Sequence, residues 1–313
     1  MKRCILAFIQ KIFTLILPQN GTAIDKDNVM HLLNLAQRNS ISKVENLWDI
    51  GFKVYSQWEE DGILNFLCDK LELLKPRILE FGSGNFEECN SRFLAEFRNS
   101  PVVVVDARDD LISSIEKLTI NWKTHVYPIE TWITPDSAKD IYISAINLMG
   151  VVDILSIDLD GNDYWVLKEL PLDGISIIVV EYNPIFGDIA SCTVPRNDIF
   201  NRTSAHSSNL YWGASLTAFI ELLVVKKFTF VGTNRVGNNA FFVNSSSCPK
   251  LGISIPDGRN FGKYVDYQIR EGRTIEGGLS LLSSQDRLNA ISEMPIVNLK
   301  NNELSTIRNL IIL

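Results

Sequence analysis

The stretch Arg77–Phe86, RILEFGSGNF, decides the fold. An apolar pair leads into the acid Glu80 and then into two glycines, Gly82 and Gly84, which are separated by one residue. Such a run predicts a buried parallel strand that leaves its sheet through a tight turn, because glycine tolerates positive φ and lets the backbone approach a ligand closely. The following EECNSRFLAEF spaces its apolar residues as a helix does. Strand, glycine turn and helix together predict the nucleotide-facing element of an open α/β sheet.

The residue pattern of this turn distinguishes a dinucleotide-binding site from a site for another nucleotide ligand. A dinucleotide-binding turn has G-x-G-x-x-G, whose third glycine lets helix and strand pack closely, but Glu87 stands at that place here. The spelling E-x-G-x-G resembles the first motif of class I methyltransferases that use S-adenosylmethionine (SAM). The resemblance implies that Glu80 orders the amino end of the methionine, and that the backbone of Gly82 and Gly84 passes beneath the ligand.

Composition excludes several classes of function. The chain has 313 residues, of which 46% are apolar and 21% charged, as in ordinary soluble globular proteins. Its net charge is −7 and its basic residues form no block, so no nucleic-acid partner is expected. The five cysteines are scattered without C-x-x-C spacing, which predicts reduced thiols in a cytoplasmic protein. The three histidines are widely separated, which argues against a histidine-rich metal site or a hydrolase triad.

The segment YSQWEEDGILNFLCDKL, residues 55–71, precedes the glycine strand and predicts a helix. Ser56 followed by Glu59 predicts a capping box at its start. Two interpretations stay open: a lid helix packed on the edge of the sheet, or an element that closes over the methionine half of SAM. The candidate residues for the second role are Tyr55, Gln57, Glu60 and Asp61.

A second acid follows the next strand. The valines Val102–Val105 predict a strand buried on both faces, and Asp106 stands at its carboxyl end. Asp106 lies about 20 residues beyond Gly84, the separation expected for an acid that accepts the hydroxyl groups of a ribose. The next predicted strand ends at Glu130, where the methyltransferase resemblance implies a residue near the adenine amine. These residues favour a nucleotide ligand, and they do not distinguish SAM from NAD.

Acidic residues follow the next two predicted strands. In residues 151–170 a strand ends in Asp158, Asp160 and Asp163, and the strand at residues 175–180 ends in the letters EYN. Because the carboxyl ends of parallel strands meet at one edge of a sheet, we expect these side chains to lie side by side. Their mutual repulsion calls for a metal, a proton or a donor-rich ligand to relieve it, although a turn or helix-cap role also explains Asp163.

Two chemistries suit this set of oxygen donors, which fit Mg²⁺, Ca²⁺ or Mn²⁺ rather than zinc. Asp160, Glu181 and Asn183 are candidate ligands of a metal that gathers the vicinal hydroxyls of a substrate and lowers their pKa. Without a metal, Asp158 or Asp160 is the candidate general base, and Tyr182 and Asn183 orient the acceptor.

The elements predicted at the end of the sheet distinguish a SAM-binding fold from an NAD-binding fold. Residues 184–213 lack periodicity and predict a binding loop or a lid. A helix to about Lys227 follows, and then a hairpin over residues 228–244. An antiparallel hairpin closes the sheet of class I methyltransferases, whereas a dinucleotide dehydrogenase domain continues with a parallel strand. This contrast favours SAM.

Residues 50–245 resemble FkbM-type class I SAM-dependent methyltransferases, in particular a bacterial branch with the motif SIDxDGNDYW. The likeness rests on YSQWEEDGIL, LEFGSGN, VVVVDA, DILSIDLDGNDYWVLKEL, VVEYNPIFG, YWGASL and NNAFF. It implies a Rossmann-like α/β fold with a seven-stranded, mostly parallel sheet and a terminal antiparallel hairpin. It also implies O-methylation of carbohydrate or polyketide-type hydroxyls, often in polysaccharide biosynthesis. Glu59 departs from the family, which has Gly there.

The sequence thus predicts a cytoplasmic SAM-dependent O-methyltransferase, with Mg²⁺ as an optional cofactor and a small molecule or glycan as substrate. An NAD-dependent oxidoreductase and a catalytically silent binding module are the alternatives. We expect a helical N-terminal extension over residues 1–50, a methyltransferase domain over 51–245 and a C-terminal helical appendage over 246–313. The helical pieces predicted in this appendage are Tyr264–Arg270, Leu288–Ile291 and Leu304–Ile311. Residues 1–17 are too short to span a bilayer and predict a helix packed on the body or a peripheral membrane contact.

Overall fold

The computed structural model describes residues 44–256 and 272–312. The predictions made for residues 1–17, for the rest of the N-terminal extension up to residue 43 and for a helix at 264–270 lie outside the described residues. Within the described ranges, no helix combines the length and the apolar composition that crossing a membrane requires.

The main sheet has seven strands. They are β1 Ile78–Phe81, β2 Val102–Asp106, β3 Val126–Glu130, β4 Ile154–Ile157, β5 Ile177–Glu181, β7 Phe228–Thr233 and β8 Asn239–Asn244. Their order is β3-β2-β1-β4-β5-β8-β7. The first five strands are parallel, and β8 runs antiparallel to both β5 and β7. The predicted Rossmann-like sheet with its terminal hairpin is confirmed.

Helices cover this sheet. They are α1 Glu60–Lys70, α2 Arg92–Arg98, α3 Leu111–Glu116, α4 Pro135–Met149, α5 Asp163–Glu169 and α7 Leu216–Val225. Every residue of β1, β4 and β5 is buried, which is what a parallel sheet covered on both faces requires and why these strands are continuous apolar runs. Short 3₁₀ turns occupy Leu47–Ile50, Thr119–Trp122, Pro184–Phe186 and Ser245–Lys250.

The insertion between β5 and α7 packs with the C-terminal residues around a second core. Its elements are β6 Cys192–Thr193 and α6 Arg202–Ala205, and the C-terminal ones are α8 Ser284–Ala290, β9 Pro295–Asn298 and β10 Glu303–Thr306. The three strands form a small sheet in the order β10-β9-β6. The side chains of this core include Phe186, Trp212, Leu288, Ile296 and Ile307.

One part of the predicted C-terminal helical segment is wrong. A helix was expected over Leu304–Ile311, but residues 303–306 form β10, and a π-helical turn follows at Arg308–Ile312. β10 pairs antiparallel with β9, and this pairing overrides the local apolar spacing. Leu304 is largely exposed, so it does not belong to an apolar helix face.

The start of α1 also differs from the predicted capping box. Glu59 is the N-cap residue but makes no side-chain capping bond. Instead, the Oγ of Ser56 accepts from the N–H of Asp61 at 3.2 Å, and Asp61 Oδ2 accepts from the N–H groups of Val54, Tyr55 and Ser56 at 2.6, 2.7 and 3.0 Å. The reciprocal partner of Ser56 is therefore Asp61, which folds the preceding loop onto the first turn of the helix.

The stability of the fold should depend on the ionisation of Asp61. Burial raises the pKa of Asp61 to about 7 although its backbone donors lower it, and its Oδ1 is buried without a partner in the described part of the chain. The unfolded pKa is about 3.9, so the folded protein binds the extra proton between about pH 4 and pH 7 and loses stability as pH rises through that window. In Asp61→Asn, which keeps an acceptor for the three N–H groups, we expect this loss, about 4 kcal/mol at most, to disappear.

Urea unfolding across that pH window measures the difference between the two proteins. Asp173→Asn, which changes an exposed acid, is the control and should follow the wild type. A wild-type stability that rises with pH relative to Asp61→Asn would mean that the three N–H donors outweigh burial, contrary to this prediction.

Candidate functional site

The two glycines of the turn after β1 serve different purposes. Gly82 has φ 83°, and a Cβ there would lie 1.6 Å from the carbonyl oxygen of Asp158. Gly84 has φ 58°, and a Cβ there would meet no atom within 4 Å. Gly82 is therefore required by the packing of β1 beside β4, whereas the backbone at Gly84 lies open to a ligand.

Asp106, at the tip of β2, is bonded to this turn. Its Oδ2 accepts from the N–H of Gly84 at 2.8 Å, and its Oδ1 accepts from the N–H of Arg108 at 3.0 Å. The carboxylate is partly buried, and each oxygen can accept a further hydrogen bond. The structure thus brings the predicted ribose-binding acid and the glycine turn together.

Glu130 lies beside Asp106, since the two residues are partners in the register of β2 and β3. Its side chain is exposed, and its Oε1 accepts from the N–H of Ile112 in the first turn of α3 at 2.9 Å. A role near the adenine stays a prediction that this position permits.

Glu80 has both carboxylate oxygens occupied by the segment that leads into α2. Its Oε1 accepts from the N–H of Asn90 at 2.8 Å, and its Oε2 accepts from the N–H of Ser91 at 3.0 Å and from the Ser91 hydroxyl. Burial raises the pKa of Glu80, and these donors oppose the rise. Glu80 joins β1 to α2 in this structure, and the expected contact with the methionine amino group stays a prediction.

Tyr55 lies against the loop that follows the glycine turn. The guanidinium of Arg92 stacks on its ring at 4.4 Å and donates from Nη1 to the carbonyl of Phe86 at 3.1 Å. Gln57 is exposed, and its backbone carbonyl accepts from the Nζ of Lys53 at 2.7 Å. The same Nζ donates to Glu88 Oε2 at 3.2 Å, so both candidates are linked to the loop after the glycine turn, Tyr55 through Arg92 and Gln57 through Lys53.

Three acids converge at the carboxyl ends of β4 and β5. Carboxylate oxygens of Asp158, Asp160 and Glu181 lie within 4.8 Å of one another. Glu181 is 5% exposed, and its Oε1 accepts from the Nδ2 of Asn238 at 3.2 Å. Its Oε2 is buried and receives no N–H donor from the described residues. The predicted side-by-side arrangement of these strand ends is therefore present.

The charge of this cluster is costly to bury. Desolvation, and then the charges of the neighbouring acids, raise the pKa of Asp158 and that of Glu181. A proton shared between these two carboxyls relieves part of the repulsion. The cluster can therefore hold either a proton or a cation.

Arg202, in the insertion, neutralises the third acid. Asp160 is exposed at φ 53°, and its Oδ1 accepts from Arg202 Nη1 at 2.7 Å. The guanidinium stacks on the ring of Trp212 at 4.6 Å and donates from Nε to the carbonyl of Asn209 at 2.8 Å. Sequence reasoning missed Arg202, because it lies in a stretch without periodicity and far along the chain from Asp160.

Two of the predicted residues have their polar groups occupied by the fold. Asn183 donates from Nδ2 to the carbonyls of Leu210 and Trp212 at 3.0 and 2.9 Å, and its Oδ1 accepts from the N–H of Ile185 at 3.1 Å. Tyr182 is fully buried in the main core, where burial raises its pKa and its hydroxyl is bonded to Thr233. The structure therefore gathers Asp158, Asp160 and Glu181, but it uses Asn183 and Tyr182 to anchor the insertion and the core.

Asp163 closes the turn after β4, as its turn interpretation predicts. It is fully buried, and its two oxygens accept from the N–H groups of Leu159 and Gly161 at 2.7 and 2.9 Å. Burial raises the pKa of Asp163 to about 6.

The insertion lies directly on this turn. A Cβ at Gly161 would fall 2.1 Å from the ring of Phe200, and Asn162 donates from Nδ2 to the carbonyl of Asn197 at 2.7 Å. Trp165 donates from its indole N–H to the carbonyl of Val194 at 3.0 Å. The predicted loop over residues 184–213 is thus packed against the strand end that carries the acids.

No protein-family model matches the chain, and no curated protein matches it in sequence. The resemblance to FkbM-type proteins therefore stays a prediction. Among solved structures, the chain is similar to an O-methyltransferase from Bacillus cereus in complex with SAH (S-adenosylhomocysteine), with 16% identity over 75% of this chain and 95% of that one and a TM-score of 0.37.

It is also similar to the N-terminal domain of EvdMO1 in the presence of SAH and D-fucose, with 10% identity, coverage of 72% and 97%, and a TM-score of 0.38. A match to TcdA (CsdL) has 14% identity and a TM-score of 0.26, and it covers 36% of this chain and 60% of that chain's length. At these identities and TM-scores the likenesses carry no conclusion about activity, cofactor or substrate.

The two glycines should respond differently to the same substitution. In Gly82→Ala the new methyl group overlaps a backbone carbonyl, so we expect a loss of about 3 kcal/mol or more in the free energy of unfolding. Gly84→Ala meets no atom and incurs only the cost of positive φ, about 1–2 kcal/mol. Urea unfolding of both variants tests the distinction, and equal losses would show that Gly82 is not closely packed against Asp158.

Proposed function

We propose that the chain is a SAM-dependent O-methyltransferase that acts on a hydroxyl of a carbohydrate or a related natural-product or cell-envelope acceptor. The observation that carries the proposal is a convergence at one sheet edge. The open turn at Gly84 with Asp106 lies on one side of the point where the strand order reverses, and Asp158 with Glu181 lies on the other. Open α/β sheets bind their ligands in the crevice at such a point.

The residues on the β1–β2 side suit an adenosyl ligand. Gly84 leaves its backbone accessible, and Asp106 offers carboxylate oxygens to ribose hydroxyls, with Glu130 beside it. Tyr55 and the loop after the turn adjoin the same edge. When bound, SAM supplies a methyl group on a sulfonium sulfur. The task of the protein is then to align the acceptor hydroxyl with that group and to take up the hydroxyl proton.

The residues on the β4–β5 side suit the acceptor. Asp158, Asp160 and Glu181 would hold a divalent cation such as Mg²⁺, because they present only oxygen donors and because Glu181 Oε2 lacks an N–H partner in the described chain. Such a cation would polarise the hydroxyls of the acceptor. In its absence Asp158 is the carboxylate that takes the proton.

Cofactor binding tests the first half of the proposal. Calorimetry of the full chain should detect SAM and SAH but not NAD. Asp106→Asn should weaken SAH binding about tenfold, since it removes one charge-assisted acceptor. Asp109→Asn, which changes an exposed acid three residues later, is the matched control and should bind as the wild type does. Binding of NAD in place of SAM would overturn the proposal in favour of an oxidoreductase.

Methyl transfer tests the second half. Labelled SAM, the protein and an extract of its own host should yield a labelled envelope or glycan fraction. Asp158→Asn should lower the rate about 100-fold or more, because the site loses a proton acceptor or a cation ligand. Sensitivity to EDTA with recovery on adding Mg²⁺ supports the cation, and resistance to EDTA supports Asp158 acting as the base. SAM binding without any transfer would favour a catalytically silent binding module.

A further inference from the structure

A buried set of amide side chains connects α1 to the acid at the end of β5. At its first end is Glu60, which is fully buried. Its Oε1 accepts from the Nδ2 of Asn234 at 2.7 Å and from the Nδ2 of Asn239 at 2.9 Å, and its Oε2 accepts from the N–H of Trp58 at 2.9 Å. A buried carboxylate is thus matched by three N–H donors.

Asn234, in the turn between β7 and β8, forms the next link. Its Nδ2 also donates to the Oδ1 of Asn238 at 2.7 Å. Its own Oδ1 accepts from the N–H groups of Gly237, Asn238 and Asn239 at 3.0, 3.0 and 3.2 Å. Asn238 in turn donates from Nδ2 to the Oε1 of Glu181 at 3.2 Å. Glu60, Asn234, Asn238 and Glu181 form one chain of hydrogen bonds, which we call the amide chain.

The donors and acceptors of the amide chain can be arranged in only one order. The carboxyl oxygens of Glu60 face N–H donors and act here as acceptors, and the backbone N–H groups of the turn can only donate. The amide of Asn234 must therefore direct its nitrogen to Glu60 and its oxygen to the turn. Its second N–H then requires an oxygen from Asn238, which leaves Asn238 to offer its nitrogen to Glu181. The acceptor at Glu60 and the N–H donors of the turn thus together determine that Glu181 receives a donor.

This direction has a consequence for the acid cluster. Oε1 of Glu181 is occupied by Asn238, whereas Oε2 is buried and receives no N–H donor from the described residues. A carboxylate oxygen of Glu181 lies within 4.8 Å of oxygens of Asp158 and Asp160. A buried polar network with every donor matched is rigid, whereas one lost partner leaves buried groups unsatisfied. The amide chain therefore holds the Glu181 carboxylate in one orientation.

We infer that Glu60, Asn234 and Asn238 are positioning residues that orient Glu181 toward the acceptor side of the site. The functional part of this inference rests on the proposed function, since it takes Asp158, Asp160 and Glu181 as the acceptor-side acids. Partners outside the ligand set of a metal orient the ligands, and their loss typically costs about 10- to 100-fold in metal affinity. Glu60 acts on Glu181 indirectly, through the amides of Asn234 and Asn238, which touch neither substrate nor cofactor in this proposal.

Asn239 provides a matched control within the same network. It is as deeply buried as Asn238 and donates to the same oxygen of Glu60 as Asn234 does. It is the register partner of Glu181 across β8 and β5, but among the described residues no side-chain hydrogen bond joins the two. Asn239→Ala therefore removes one donor from Glu60 and leaves the amide chain intact. Glu60→Gln keeps the shape but puts an N–H₂ group where only acceptors fit, and Asn238→Ala removes only the last link.

The first measurement is hydrogen exchange of the Asn238 side-chain amide, followed by NMR on the full chain. We expect slow exchange in the wild type and in Asn239→Ala. Exchange should be at least about tenfold faster in Glu60→Gln, because its N–H₂ group would face N–H donors and leave buried groups of the network unsatisfied. Equal exchange in Glu60→Gln and Asn239→Ala would overturn the inference. If Glu60→Gln does not fold, Asn234→Ala replaces it in this comparison.

The second measurement is the affinity of the full chain for Mn²⁺ alone, by calorimetry. Glu60→Gln and Asn238→Ala should weaken Mn²⁺ binding about tenfold or more while Asn239→Ala does not, and SAH binding should not change in any of the three. Equal Mn²⁺ affinity in all variants would contradict the positioning role. A wild type that binds no Mn²⁺ would remove the cation from the proposed function, and the exchange of the Asn238 amide would still decide the inference.

Discussion

The close approach of β1 and β4 at their carboxyl ends is the constraint on which the site depends. A side chain at Gly82 would overlap the carbonyl of Asp158, so the glycine turn and the first acid of the cluster lie on one rigid edge. Neighbouring strands are about 4.8 Å apart, and a turn that leaves β1 at this point can only pass over the end of β4 or β2. The turn bonds to Asp106 on the β2 side. The strand order therefore divides the edge into a side suited to a nucleoside and a side lined by acids.

The repulsion between the clustered carboxylates explains why they need partners from other segments of the chain. Each acid at the edge is relieved differently: Asp160 by Arg202, Glu181 by Asn238, and Asp158 by a proton that it can share with Glu181. An ion pair as exposed as that of Asp160 contributes only about 0–1 kcal/mol. What keeps Arg202 in place is the face of Trp212 and the carbonyl of Asn209. The pair is therefore a consequence of the insertion's packing rather than its cause.

Local patterns made the sheet predictable from the sequence. Continuous apolar runs ending in glycine or acid placed β1, β2, β4 and β5, and shared strand ends implied that Asp158 and Glu181 would meet. The partners of these acids were not predictable, because Arg202 and Asn238 lie far along the chain in stretches that look like loop and turn. Glu80 shows another limit: an acid before a glycine turn needs N–H donors, and sequence alone does not tell whether the next helix or a ligand supplies them. In this structure the residues before α2 supply them.

The partners of the acidic edge come from segments that follow the five parallel strands in the chain, and this links distant parts of the chain to the site. Trp212, the platform of Arg202, shares its core with Ile296 of β9, and the neighbouring Tyr211 donates from its hydroxyl to the carbonyl of Pro295 at 2.6 Å. The C-terminal strands carry none of the acids, yet they support the insertion that holds Arg202 against Asp160. The hairpin turn supplies Asn238 to Glu181 in the same way. The five parallel strands alone would present an edge of unrelieved carboxylates. The charge balance of the site is therefore a property of the assembled fold and not of the strand ends that carry the acids.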